Sequence, residues 1–266
     1  MANLARLAKS GSEWRQNELK AYNIEVVDRD EVQFFGCRAD KAPASLAEDF
    51  MTYEFRPGDD TPDESSKLLT FLDLASSRCG SQESAVDDFA KLLLETLGYD
   101  SGPRVIRTRY RIPLEISGVT SSAETDVCVV RKNRNVLLLL QEDKTLESSV
   151  NPEPQVIAEA IAAFQENNRN RAMVGEKQLE VMTLPCITMI GTRPTFYLAR
   201  VTRLLSECVM TAEYPSETTT VLRHIPSISR RISDGMKPLK DRDKVVKCLV
   251  AFRHFVDDLE SSLSEA

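Results

Sequence analysis

The clearest periodic pattern in the chain lies in residues 81–100, where apolar side chains return every three or four positions. This spacing places them on one face of an α-helix, and Gly98 is a natural residue for the helix to end at. The pattern therefore predicts an amphipathic helix that packs against a core. The apolar positions are Val86, Phe89, Ala90, Leu93 and Leu97.

Three strand-like segments follow this helix. They are RVIRTRYRIPLEISGV at 104–119, ETDVCVV at 124–130 and VLLLLQED at 136–143. Pro113 is expected to interrupt the first strand, because proline lacks the backbone N–H that a sheet uses. The polar stretch RKNRN between the last two strands predicts a turn. Three successive strands of this kind predict an antiparallel meander or hairpin.

The remaining segments complete an α/β pattern. Helices are predicted at 63–77, 152–171, about 202–211 and 241–263, and strands at NIEVV, VQFFG, LPCITMIG, PTFYLARVT and TTTVLRHI. The order helix, three strands, helix, strand predicts a mixed sheet covered by helices on both faces. We expect residues 1–65 to form an N-terminal extension packed on the core. Residues 66–266 would form the main domain with its C-terminal helix.

Composition restricts the function classes. The 266 residues carry a net charge of -7, so nucleic-acid binding would need a local basic patch on an acidic protein. The six cysteines are scattered and there are only two histidines, which argues against a zinc site. No signal peptide and no membrane-spanning run is apparent. We expect an intracellular protein of the cytoplasm or nucleus.

The charged end of the leucine-rich strand suggests a chemical site. A turn centred on Asn133 or Arg134 places Asp126 opposite Leu140 or Glu142. Because strand side chains alternate, Glu124, Asp126, Glu142 and Lys144 would then share one face. Close carboxylates at the edge of an apolar sheet repel each other, and Mg²⁺ or Mn²⁺ would relieve this. A bulge of one residue would destroy the alignment.

An acidic residue on one strand and E-x-K on the next resembles the PD-(D/E)XK nuclease superfamily, and the residues are Asp126 and Glu142-Asp143-Lys144. The resemblance implies a restriction-endonuclease-like fold. It implies that Asp126 and Glu142 hold Mg²⁺ or Mn²⁺, and that Lys144 positions or activates water. It also implies a carboxylate from the preceding helix, with Glu83 as the first choice and Asp87 as the second.

The helix after the strands extends the resemblance. Gln155 resembles the glutamine of the RecB-like and lambda-exonuclease-like branches, where it would orient water or a substrate phosphate. Those branches usually carry tyrosine four residues later, whereas this chain has Glu159, which we interpret as a solvated or supporting group. Most of the chain also resembles a group of proteins from mushroom-forming fungi. The stretches that carry this resemblance are ELKAYNIEVVDRDEVQFFG, TDVCVV, LLLLQEDK, QVIAEAIAAFQENN and ITMIGTRPTFYLARVT.

Basic residues beside the hairpin are candidates for phosphate binding. Arg107, Arg109 and Arg111 are predicted to alternate onto one strand face, and Arg131 and Lys132 lie at the turn. The alternative is a solvated edge that discourages strand pairing. We therefore expect a metal-dependent nuclease acting on DNA, with RNA as the second substrate. The alternative function is a catalytically silent nuclease-like fold that binds nucleic acid or protein.

Overall fold

Seven strands form one mixed sheet in the computed structural model of the protein. The structure describes residues 6–36, 46, 48–54, 63–76, 84–131, 135–142, 151–229, 231 and 234–265. The sheet order is β1-β7-β6-β5-β4-β3-β2. The strands are β1 Ile24–Asp28, β2 Arg104–Ile116, β3 Val119–Arg131, β4 Val136–Glu142, β5 Val181–Ile190, β6 Arg193–Thr202 and β7 Thr219–His224.

Helices cover both faces of the sheet. One face packs against α6, whose Glu159 lies near the sheet residues Cys128 and Cys186. On the other face, α5 and α8 enclose Leu140 and Met189. The helices are α1 Gln16–Ala21, α2 Glu31–Phe35, α3 Glu48–Thr52, α4 Asp63–Ser76, α5 Ser84–Thr96, α6 Glu153–Met173, α7 Arg203–Thr211 and α8 Leu239–Glu265, with a 3-10 helix at Gly11–Glu13.

The predicted fold class is confirmed. The sheet is mixed, because β2, β3 and β4 are antiparallel while β4 and β5 run parallel, and helix α6 forms the crossover between these two. Strand β1 pairs in parallel with β7, so residues before 65 contribute an edge strand to the same sheet.

Two predicted elements are wrong. Strand β2 continues through Pro113, which pairs with Ser122. Because β2 is an edge strand and the N–H of Glu115 points outward to Gln165, the missing N–H of Pro113 faces the same open side and costs no sheet hydrogen bond. The segment VQFFG belongs to helix α2 rather than to a strand. Asp30 caps this helix by accepting a hydrogen bond of 2.8 Å from the Gln33 N–H.

Three amide side chains of α6 bind backbone groups in a pattern that imitates a neighbouring strand. Each amide accepts from the N–H and donates to the carbonyl of a single residue, with distances between 2.7 and 3.1 Å. These amide clamps satisfy backbone groups at strand edges and in the loop before β5. The pairs are Gln165 with Glu115, Asn167 with Val136, and Asn168 with Leu179.

Candidate active site

The register of the β3–β4 hairpin differs from the prediction. Near the turn Val130 pairs with Val136, but a bulge between Val129 and Val130 shifts the rest of the ladder by one residue. Beyond it, Val127 pairs with Leu140. Asp126 is consequently in register with Gln141, and the predicted alignment of Asp126 with Leu140 or Glu142 is wrong. A bulge of one residue moves every side chain of one strand relative to its partner.

Asp126 is fixed by the residue that the bulge places beside it. The Gln141 side chain is 2% exposed, and its Nε2 donates a hydrogen bond to Asp126 Oδ2. This hydrogen bond fixes the position of the Asp126 carboxylate. The side chain of Glu142 and the whole of Glu83, Lys144 and Lys132 lie outside the described residues.

Helix α6 brings a second carboxyl group to Asp126. Glu159 is fully buried, and its Oε1 accepts a hydrogen bond of 3.2 Å from Gln155 Nε2. Its Oε2 is buried and accepts no hydrogen bond from the described residues. The two α6 residues share a face because they are four positions apart. Of the two interpretations of Glu159, the solvated group is therefore wrong, and the supporting group stays a prediction.

The electrostatics of Glu159 follow from this burial. Burial raises the pKa of the Glu159 carboxyl well above its ordinary value, and the nearby charge of Asp126 raises it further. Hydrogen bonding by Gln155 and Thr125 acts on the pKa in the opposite direction. Burial also raises the pKa of the nearby Cys128 thiol to about 12, so this thiol is uncharged at neutral pH.

Strands β2 and β3 are irregular at Asp126 itself. Thr108 pairs with Val127 and Tyr110 pairs with Thr125, but Arg109 and Asp126, which lie between them in this described part of the sheet, do not pair. Arg109 has a left-handed backbone with φ of 51°. This conformation is uncommon for a residue other than glycine. We call this irregularity at Arg109 and Asp126 the strand kink.

The strand kink redistributes the arginines of β2. The Arg107 guanidinium lies over the ring of Tyr110, 4.6 Å from its centroid, although residues three apart on a regular strand point to opposite faces. Arg111 follows Tyr110 directly and forms a 3.6 Å ion pair with Glu124. The prediction that Arg107 and Arg111 share one face is therefore wrong, because the kink at Arg109 reverses the alternation between them.

Arg131 is engaged by the C-terminal helix. Its guanidinium lies 3.4 Å from Glu260 and donates a 2.8 Å hydrogen bond to Ser264. Its strand partner Arg104 is more deeply buried and binds both Asp257 and Glu260. These ion pairs join α8 to strands β2 and β3. Phosphate binding by Arg131 would therefore have to compete with the Glu260 carboxylate.

The described residues do not by themselves form a three-ligand metal centre. No group of three His, Cys, Asp or Glu side chains suited to a metal occurs within the described ranges. Asp87 lies on α5, which packs with its neighbours against Leu140 on the sheet face opposite α6. The cluster at Asp126 and Glu159 therefore supplies two carboxyl groups and the amides of Gln141 and Gln155.

Comparison with protein-family models and with curated protein sequences finds no match for this chain. Within the described part of the chain, none of the helices has both the length and the apolar character needed to cross a bilayer.

Glu159 and Gln141 are the members of the site that sequence reasoning missed. Glu159 did carry a signal, since it is the single charged residue in the apolar run VIAEAIAAF at 156–164. Apolar residues on every side of Glu159 indicate that this part of the helix is buried, and the charged residue is then buried with it. Gln141 carried no comparable signal, because its place beside Asp126 depends on a bulge that the alternating pattern does not reveal.

Proposed function

We propose that the protein is a metal-dependent nuclease that hydrolyses phosphodiester bonds of DNA, with RNA as the second substrate. The observation that carries the proposal is the buried Glu159 carboxyl group beside Asp126, with one oxygen that accepts no hydrogen bond from the described residues. Most buried polar atoms in proteins have a hydrogen-bond partner, and a buried oxygen without one is a place where water or an ion can bind. The helices α5 and α6, before and after three antiparallel strands, agree with the resemblance to the PD-(D/E)XK nucleases.

The residues present fit a hard divalent cation. Asp126 and Glu159 offer carboxylate oxygens, which Mg²⁺ and Mn²⁺ prefer, and the open Oε2 of Glu159 is a place where such a cation would replace the missing donor. Glu142 and Glu83 are the further ligands that the resemblance implies, although Glu83 directly precedes α5, which packs on the sheet face opposite α6. The cation would lower the pKa of a bound water and stabilise the charge that develops on the phosphate.

The protein side chains would have separate roles. Gln141 holds Asp126 in place through its amide. Gln155 donates to Glu159 and, from the same α6 face, would also orient water or a phosphate oxygen. Lys144 would position the attacking water, and its ammonium would stabilise negative charge on the phosphate. This assignment of Lys144 follows from the resemblance.

Cleavage of mixed DNA and RNA substrates with Mn²⁺ or Mg²⁺ tests the proposal. Wild type is compared with Asp126→Asn, Glu142→Gln and Lys144→Ala, and we expect metal-dependent cleavage that all three variants lose. Glu124→Gln is the matched control, because Glu124 is an exposed carboxylate two residues from Asp126 that pairs with Arg111. Absence of cleavage by the wild type, or an equal loss in Glu124→Gln, would contradict the proposal.

A second candidate is a catalytically silent nuclease-like fold used for binding. It is favoured by the hairpin register, which places the neutral Gln141 beside Asp126 where a second acidic residue was predicted. This candidate predicts no cleavage and no increase in melting temperature with Mn²⁺. The nuclease proposal predicts both effects, so the two functions are separated by the same set of measurements.

A further inference from the structure

The exposed edge of the sheet carries a preorganised flat surface next to the candidate site. The Arg107 guanidinium is stacked on Tyr110 at 4.6 Å, Arg107 is exposed and Tyr110 is half-buried. Strand β2 is the last strand of the sheet, so no further strand covers this side. The guanidinium lies over the tyrosine ring, and because Arg107 is exposed, part of its surface remains accessible to solvent. We call these two residues the Arg–Tyr stack.

The stack flanks Asp126 on the neighbouring strand. Arg107 pairs with Cys128, and Tyr110 pairs with Thr125, the residue directly before Asp126. Adjacent strands are about 4.8 Å apart, so the backbone that carries the stack lies one strand spacing from the backbone around Asp126. A ligand that occupies the stack would therefore place its next covalent unit at the carboxyl pair of Asp126 and Glu159.

The strand kink creates the stack at a cost in backbone strain. On a regular strand Arg107 and Tyr110 would point to opposite faces, and the left-handed Arg109 between them reverses the alternation. Left-handed backbone is unfavourable for a side chain such as arginine, and strain of this kind concentrates at functional sites. The strained residue also lies across from Asp126, so one irregularity shapes both the stack and the carboxyl site.

The guanidinium and the aromatic ring of the Arg–Tyr stack indicate the class of ligand that it would bind. A guanidinium plane backed by an aromatic ring stacks on nucleobases, and its N–H groups bind phosphate. Among the described residues, Arg107 contacts the Tyr110 ring and forms no ion pair with a carboxylate. Bases inside a duplex are already stacked on their neighbours and cannot reach such a surface, whereas bases of a single strand can.

We infer that the Arg–Tyr stack receives an unpaired nucleobase, so that the chain binds single-stranded nucleic acid with a phosphodiester at Asp126. The inference rests on the proposed function for the position of that phosphodiester. Binding itself needs no cleavage and is measurable on its own.

The test is fluorescence anisotropy with labelled oligo-dT and oligo-rU against a duplex of the same length, at low salt with EDTA. We expect wild type to prefer the single strands. Arg107→Lys keeps the charge but loses the flat plane, and stacking energies predict a loss of about tenfold in single-strand affinity. Arg203→Lys is the matched control, because Arg203 is an exposed arginine at the start of α7 that pairs with Glu180 and Glu207, and its affinity should stay at the wild-type value.

Three results would overturn the inference. They are absence of single-strand binding by the wild type, binding of duplex as tight as single strand, and equal behaviour of Arg107→Lys and Arg203→Lys. Failure of the proposed function is a separate result. Single-strand binding in EDTA without metal-dependent cleavage would reject the nuclease and keep the stack, and cleavage with a duplex preference would do the reverse.

Discussion

Buried polar side chains are satisfied differently in the two halves of helix α6. In the C-terminal half, the amides of Gln165, Asn167 and Asn168 each bind both backbone groups of one residue. In the N-terminal half, Glu159 is equally buried, yet its Oε2 accepts nothing from the described residues and its carboxyl group lies near Asp126. The same helix therefore binds backbone groups of the sheet and the adjoining loop through its C-terminal half, whereas its N-terminal half contains a buried oxygen that accepts no hydrogen bond from the described residues.

The difference between the two halves of α6 indicates that one half contributes to stability and the other to the proposed function. A buried polar group with all its hydrogen bonds contributes to a defined fold. A buried carboxyl group with an open oxygen and a charged neighbour is costly, and such groups concentrate at sites that bind or react. Substitutions in the two halves of α6 should consequently have opposite signatures, with loss of stability in one half and loss of ligand binding in the other.

The largest expected effect is at Asn167. Val136 lies in a fully buried strand, and its N–H and carbonyl bind the Asn167 side chain at 2.8 and 2.9 Å. Asn167→Ala removes the hydrogen-bond partner of both groups. Two buried backbone groups without partners should lower the free energy of unfolding by about 3 kcal/mol. Urea denaturation followed by circular dichroism measures this. A loss below about 1 kcal/mol would show that water or a local rearrangement replaces the amide clamp.

Glu159→Gln should show the opposite signature. The protein is expected to keep its metal-free stability, because a neutral amide replaces a carboxyl group whose charged form is disfavoured by burial. Wild type should gain about 2.7 kcal/mol at a free Mn²⁺ concentration of one hundred times Kd. The variant should gain almost nothing, as measured by thermal melting with and without Mn²⁺. Equal stabilisation of wild type and variant would remove Glu159 from the cation site.

A smaller loss is expected at Gln165, which makes the same type of clamp at a more accessible place. Glu115, whose backbone it binds, is half-buried on the edge strand β2, so water can replace the lost amide. Gln165→Ala should therefore cost only about 1 kcal/mol in unfolding free energy. The comparison with Asn167→Ala in the same denaturation series isolates the effect of burial, and an equal loss in both would refute that explanation.

The smallest effect is a gain in stability at Arg109. Arg109→Gly relieves the left-handed strain of about 1–2 kcal/mol, while glycine in a strand costs about 0.5–1 kcal/mol in entropy. We expect a net gain of about 0.5 kcal/mol together with weaker nucleic-acid binding. Arg111→Gly, at a residue outside the left-handed region, is the control and should lose stability. A loss in both variants would mean that Arg109 is not strained.

Periodicity predicted the order and type of most elements, and local irregularities account for the errors at the site. The apolar stripe of α5 and the succession of β2, β3, β4 and α6 follow from spacing alone. The bulge between Val129 and Val130 and the left-handed Arg109 leave no mark in the hydrophobic pattern, because each changes the geometry of a single residue. The roles of Glu83, Glu142 and Lys144 stay predictions, since those side chains lie outside the described residues.

The pairing of β1 with β7 has a consequence for the timing of folding. Asp28 and its partner Arg223 are separated by 195 residues along the chain. At the usual rate of protein synthesis, about 10–40 s pass between the appearance of the first strand and that of its partner. During this interval β1 has no neighbour in the sheet and its backbone groups remain open to other chains. The sheet therefore cannot be completed until its last synthesised strand joins its first.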